Sequence, residues 1–395
     1  MQGRRVARTF SPLGKDLFMT RSQGRRVAAL SAVRIALHLA LAGLACAGGG
    51  AGCSKEPAPA PQSEPRAPKA EGVDTPVAAP APAAEKAGGA LRIAYSDWPG
   101  WVAWEIGIQK GWFREEGVEV DFKWFEYVPS MEAFSAGKVD AVTMTNGDAL
   151  VTGSSGAKSV GILLNDYSNG NDMVVAQPGI KSVAALKGKK VGVEVGFLSH
   201  LLLINALKSA GLRDTDVELV NVPTDQTPQV LKAGDVSAIV AWQPNSGQAL
   251  KEVPGSKAIF TSQNVPGLIY DLLYVSPKSL SERRDDWKKV AKVWFRIADF
   301  LKQPDNLDES AKIMAARVGL RAEQYKALMS GTHFLDLAGN TKHFAKGDSL
   351  MSVYGGSKIV DAFQLDNKIY KAPVAYEQYL DPSIVEELST ALSAK

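Results

Sequence analysis

The stretch V-L-K-A-G-D-V-S-A-I-V-A-W (230–242) repeats, at a distance, the plan of A-F-S-A-G-K-V-D-A-V-T-M (133–144). Each leaves a helix, passes through Ala-Gly-x-Val-x-Ala and enters an apolar strand. One plan at two distant places predicts two lobes of like topology. A plainer account is a shared turn rule, because glycine ends many helices.

Around the first copy, L-R-I-A-Y-S (91–96) reads as a buried strand and V-A-W-E-I-G-I-Q-K (102–110) as a helix. G-W-F-R-E-E-G is a turn, V-E-V-D-F-K-W-F (118–125) an alternating strand, and S-V-G-I-L-L-N (159–165) another strand. Around the second copy, K-K-V-G-V-E and V-E-L-V-N-V read as strands. They flank the helix L-S-H-L-L-L-I-N-A-L-K-S-A-G (198–211). L-I-Y-D-L-L-Y-V-S (268–276) is a long strand, and helices dominate after it. Residues 285–303 place Val290, Trp294, Ile297 and Leu301 on one helical face. Strand–helix alternation predicts an α/β protein with parallel sheets covered by helices. The order implies lobe one at 90–172 and 272–395 and lobe two at 173–271. Two crossings between lobes make a hinge with a cleft.

A chain of 395 residues is too long for one ordinary core, which agrees with two lobes. The net charge of +3 is misleading. Residues 1–53 hold eight Lys/Arg against one Asp, so they carry +7 and leave −4 for the rest. A mildly acidic body gives no electrostatic case for nucleic acid. Both cysteines, Cys46 and Cys53, precede the body, so disulfides, thiolate metal sites and a cysteine nucleophile are excluded there.

The N-terminal residues read as an address. Four arginines (Arg21, Arg25, Arg26, Arg34) precede a short apolar run at 35–47, the plan of a secretory signal. The run is too short for a permanent membrane span. Q-G-R-R-V-A occurs at Gln2 and again at Gln23, and Met19 is the expected start of translation. G-A-G-C-S (50–54) has the form of a lipobox, with Cys53 as the expected lipid anchor. Cys46 and ordinary cleavage after Ala47 remain as alternatives. Residues 1–53 are thus read as a lipoprotein-type signal peptide. The Pro/Ala-rich stretch at 54–89 cannot bury a core and reads as an extended, disordered tether.

In open α/β sheets, ligands sit beyond the C-terminal ends of strands. Those ends are S-D-W-P-G-W (96–101), M-T-N-G-D-A (144–149), N-D-Y-S-N-G-N-D (165–172), E-V-G-F-L-S-H (194–200), P-T-D (223–225), W-Q-P-N-S (242–246) and I-Y-D (269–271). None contains Lys or Arg. The expected ligand-binding residues are Asp97, Trp98, Trp101, Asn146, Asp148, Asn171, Asp172, Glu194, Ser199, Trp242 and Asp271. Carboxylates attract cations, amides accept hydrogen bonds, and indole faces attract cations. Such a cleft suits a small, planar or cationic, nitrogen-rich solute. Against this, helix N-termini hold anions without any basic side chain. Asp148 and Ser199 serve equally well as helix caps. Asn169–Gly170 is a turn signal whatever the function. Trp242 ends an apolar strand, which favours a core role, and His200 reads as structural. Asp166 reads as a solvated loop acid. Asp271 stands inside an apolar strand and needs a partner.

Nucleotide-binding glycine motifs, a serine-nucleophile elbow and a zinc-ligand set are all absent, so no cofactor and no catalysis are expected. L-R-I-A-Y-S-D-W-P-G-W followed by I-Q-K-G-W-F-R-E-E-G-V-E-V resembles solute-binding proteins of the nitrate/taurine/sulfonate and thiamine-precursor group of ABC transporters. M-T-N-G-D-A-L, D-Y-S-N-G-N-D, L-S-H-L-L-L and P-G-L-I-Y-D-L-L resemble its branch linked to urea carboxylase. The resemblance implies a periplasmic two-lobe binding protein of type II topology. It implies a monomer that delivers a small-molecule solute to an inner-membrane ABC permease, with Trp98, Asp148, Glu194 and Asp271 at binding positions. An oxyanion, a sulfonate or a thiamine-precursor pyrimidine is the alternative solute, and an enzyme on the same fold a further one.

Overall fold

The computed structural model describes residues 88–393. The expected signal peptide, both cysteines and nearly all of the tether lie outside the described residues. The chain runs through β1 (Leu91–Tyr95), β2 (Val120–Trp124), β3 (Ala141–Thr145) and β4 (Val160–Ser168), and then through β5 (Met173–Ala176), β6 (Lys190–Val193), β7 (Glu218–Asn221), β8 (Ala238–Ala241) and β9 (Lys257–Thr261). It ends its strands with β10 (Tyr270–Val275) and β11 (Thr332–Phe334). Among the described residues these form a six-stranded sheet, β11-β4-β10-β3-β1-β2, and a five-stranded sheet, β7-β6-β8-β5-β9.

Without β11, the two orders correspond strand for strand. β3 and β8, which follow the two Ala-Gly turns, occupy the same place in each sheet. The turns are also alike, since Gly137 and Gly234 both take positive φ, 67° and 82°. The repeat in sequence therefore reflects a common topology and a common turn at once.

The expectation of mostly parallel sheets holds, since β1–β4 share one direction in the first sheet and β6–β9 share one in the second, with an opposed strand inserted in each. β1 runs parallel to β2 and β3, and β6 parallel to β7 and β8. β10 is antiparallel to β3 and β4, however, and β5 to β8 and β9. β5 and β10 are the strands that arrive from the other sheet, so each runs against its new neighbours. The chain leaves the first sheet after Ser168 and returns to it at Tyr270. Tyr270 and Asp271, read as the end of lobe two, are thus part of the first sheet.

Two local readings also change. The helix expected over 102–110 is two short ones, Pro99–Val102 and Trp104–Gln109. β4 runs past Asn165 because β10 and β11 pair with its far end. That extension carries Asp166 into the sheet interior, where it is fully buried, and the solvated-loop reading fails.

The helix Arg284–Lys302 lays its apolar face on the first sheet's layer. Val290, Trp294 and Ile297 are fully buried, and Leu301 packs at the margin. Trp294 meets Trp104 at 4.8 Å between ring centroids, and Phe113 and Phe122 complete the cluster. Rings of this size bury ~150–250 Å² each, so this contact anchors the C-terminal helices to the first sheet. No helix among the described residues is long and apolar enough to cross a membrane.

Candidate functional site

The strand-end loops of the two sheets face one another and line two spaces that share the side chain of Trp242. The inner one is a void of about 10 Å³ lined by Trp98, Trp101, Thr145, Asp172, Leu198, Trp242, Ile269 and Asp271. The outer one is a vestibule of about 440 Å³ whose acids are Asp97, Glu126, Glu132, Glu194 and Asp225. Among the described residues, no Lys or Arg lines either space.

The inner wall is built by sheet register. Asp166 on β4 and Asp271 on β10 are cross-strand partners, so their carboxyls are forced together. Asp166 accepts a hydrogen bond from Trp98 Nε1 at 3.0 Å. Gly100 makes room for this acid, since a Cβ there would overlap Asp166 Oδ2. Asp148 stands in the first turn of the helix Asn146–Ser154. Its own N–H is capped by Thr145 Oγ1, and its Oδ2 accepts from Tyr127 O–H at 2.6 Å. Tyr127 stacks on Trp101 with ring centroids 5.1 Å apart and meets Trp242 edge to face at 5.4 Å.

Among the described residues, four buried aspartate oxygens have no donor: Asp148 Oδ1, Asp166 Oδ2, Asp172 Oδ2 and Asp271 Oδ2. Buried acceptors without partners are costly, by ~1–3 kcal/mol each. Burial pushes Asp148 up to about 6 and Asp172 up to about 7. It lifts Asp166 and Asp271 as well, and the charges of Asp166 and Asp172 drive Asp271 further from the ordinary carboxylate range. Two such neighbours cannot both hold full charge in a dry site. In the vestibule, burial raises Asp97 to about 6 and Glu194 to about 7. Thr224 donates to Glu194 at 3.1 Å.

The structure thus brings Trp98, Trp101, Asp172, Trp242 and Asp271 to the inner void, with Asp148 one hydrogen bond behind it. Asp97, Glu194 and Trp242 face the vestibule. Two expected ligand amides are engaged elsewhere. Asn146 accepts from Tyr270 N and donates to Ser357 Oγ. Asn171 donates to Leu328 O at 2.6 Å and Thr332 Oγ1 at 2.8 Å. Both are braces between elements, not walls of the cavity. Ser199 is buried with an unpartnered Oγ, outside either lining. Sequence reasoning passed over Glu126 and Tyr127. They follow β2, so the strand-end rule applied to that strand would have found them.

Groups of three or more His, Cys, Asp or Glu arranged to hold a metal ion are absent among the described residues. What the site can do is receive hydrogen-bond donors and positive charge between indole faces.

Comparison with known proteins places the chain. A binding protein of Brucella abortus (strain 2308) is 32% identical over 167 residues, which is 42% of this chain and 51% of that protein. The chain therefore spans about half the length of these Brucella relatives. An Escherichia coli (strain K12) protein named as binding aliphatic sulfonates is 28% identical over 252 residues, 61% of this chain and 75% of that one. Among solved structures, the periplasmic aliphatic sulphonate-binding protein SsuA from Escherichia coli superposes with a TM-score of 0.62 at 19% identity, covering 73% of this chain and 91% of that chain. The desulfurization enzyme DSZB shares the fold with a TM-score of 0.54 at 16% identity, covering 76% of this chain and 99% of that chain. None of these names points to the branch linked to urea carboxylase. Residues 84–315, more than half of the sequence, match one family throughout, and the chain belongs to the NMT1-like family.

Proposed function

We propose that this chain is the solute-binding component of an ABC importer outside the cytoplasm. It binds a small molecule in the cleft between its two sheets, closes around it and hands it to a membrane permease. Residues 90–172 and 272–395 form one lobe and 173–271 the other, with the exchange of Tyr270 and Asp271 noted above. Cys53 anchors the body to a membrane through its tether. Closure follows from a ligand that touches both lobes and so binds the closed state better. The relatives' names support binding without catalysis. The desulfurization enzyme is a reminder that the fold also hosts chemistry. Recovery of the solute chemically unchanged after incubation separates these two cases.

Two solute classes compete. Kinship speaks for the oxyanion alternative, because relatives are named for sulfonates. The unpartnered Trp101 Nε1 in the inner wall is a donor that such an anion would use. The site chemistry speaks for a nitrogen-rich cation. The single observation that carries it is the pair of donorless buried oxygens of Asp172 and Asp271 in the wall of an indole-lined void without any basic side chain among the described residues, backed by the buried acids Asp148 and Asp166. A planar cation with several N–H groups satisfies those oxygens, whereas an anion adds charge to them. Calorimetry with guanidinium, urea, small amines, taurine, nitrate and a thiamine-precursor pyrimidine decides. Tight binding of an anion with none of the cations sinks the cationic reading. Silence from every compound sinks both.

A further inference from the structure

Asp97 is the acid of the cleft with both oxygens already in use across the divide. It follows β1 in the first sheet, yet its partners come from the second. Trp242 Nε1 donates to Asp97 Oδ1 at 3.1 Å, and Asn245 Nδ2 donates to Asp97 Oδ2 at 3.0 Å. Trp242 and Asn245 follow β8, at the start of the helix Asn245–Glu252. Both are buried, while Asp97 keeps a margin of contact with the vestibule.

The position of this pair is as telling as its geometry. Trp242 lines the inner void and the vestibule alike, so its indole is the partition between them. Asp97 lines the vestibule alone. The ring of Trp242 is held by the ring of Tyr127 on one side and by Asp97 on another. Swinging that indole away would join the two spaces, and it breaks the hydrogen bond to Asp97. The lobes also meet through ring packing, as where His200 lies against Phe363 at 5.6 Å between centroids.

We infer that Asp97 is a latch and not a ligand contact: it holds Trp242 and Asn245 across the cleft and thereby sets how readily the inner void opens. Hydrogen bonds to a carboxylate are the stronger kind, and two of them from one side chain fix both distance and orientation. A latch that forms without solute favours the closed state in the free protein. It therefore tightens the apparent affinity for any solute that the closed state prefers and slows its release. Its strength is independent of which solute occupies the void. The inference rests on the proposed cleft function for the route the solute takes, but not for the latch itself.

The test uses the free, full-length protein at pH 8, where Asp97 is ionised. Small-angle scattering and hydrogen exchange at 242–248 are measured for the parent, Asp97→Ala, Asn245→Ala and the double variant. Asp97→Ala is expected to enlarge the radius of gyration and to speed exchange in that segment by at least roughly tenfold, the factor expected for loss of one charged hydrogen bond. Asn245→Ala acts in the same direction and less strongly. The double variant behaves as Asp97→Ala alone, because the bond that Asn245→Ala removes is already lost with Asp97. If Asp97→Ala does not fold, Asp97→Asn substitutes for it. Its oxygen keeps one donor and its amide opposes the other, so an intermediate opening is expected. Unchanged scattering and exchange in every folded Asp97 variant, or strictly additive effects of Asp97 and Asn245, overturns the latch. Failure of every solute in calorimetry leaves these measurements unaffected, so the two readings fail separately.

Discussion

The substitution Asp271→Asn makes the two solute classes answer with opposite signs. Asp271 and Asp166 face each other across β10 and β4, and each has one buried oxygen without a donor. The new side-chain amide supplies a permanent N–H to Asp166 where a carboxyl could donate only while it kept its proton. Relief of one unpartnered buried acceptor is worth ~1–3 kcal/mol. That raises Tm by about 2–4 °C for each kcal/mol in a body of this size. A cationic solute, by contrast, loses a buried opposite charge. Breaking such a pair costs ~3–5 kcal/mol, and affinity should fall by a factor of about a hundred or more. For an anion the same change removes repulsion, and affinity holds or improves. Thermal melts of the free protein and calorimetry with guanidinium and taurine measure both halves. A variant that melts lower than the parent at pH 8, or that binds guanidinium as well as the parent does, refutes the reasoning about the acid pair.

Stability of the free protein should fall as pH rises from about 4 to 8. Asp148, Asp172 and Asp97 carry raised values of about 6, 7 and 6, so their contribution is complete below the ordinary carboxylate range and is lost as pH climbs through those values. The groups nearest Asp97, namely Glu126 and Glu194, are acids too and add to the trend. Urea denaturation at pH 5 and pH 8 checks the sign, and a more stable protein at pH 8 contradicts it. Affinity for a cationic solute should rise over the same interval with release of protons, visible as a buffer-dependent binding enthalpy. Gly100→Ala should destabilise by more than ~2 kcal/mol, because its new methyl group overlaps Asp166 Oδ2. Denaturant midpoints decide it. Asn171→Ala removes bonds to Leu328 O and Thr332 Oγ1 and should cost ~1–3 kcal/mol in the same assay without altering which solute class binds.

Much of the site was legible because it obeys a local rule. Strand ends can be found from periodicity, and the loops that follow them carry Asp97, Trp98, Trp101, Asp148, Asp172 and Trp242 wherever the strands later pair. Asp166 was misread because the end of β4 has no local signal. It becomes strand through β10 and β11, which arrive from far along the chain. Asn146 and Asn171 were read as ligand amides on residue type, but hydrogen-bond partners depend on which backbone lies opposite, and here that is Tyr270 and Leu328.

By itself, then, the order of residues determined the alternation of strand and helix, the doubled Ala-Gly turn and a set of loop tips rich in acids and indoles. Periodicity and turn chemistry act over a few residues, so they can be read without coordinates. Tertiary structure alone decided that the incoming strands run antiparallel, that Asp166 meets Asp271, and that Asp97 reaches across to Trp242 and Asn245. Those are contacts between segments distant in sequence, set by sheet register and by the burial of shared apolar faces, and no local pattern encodes them.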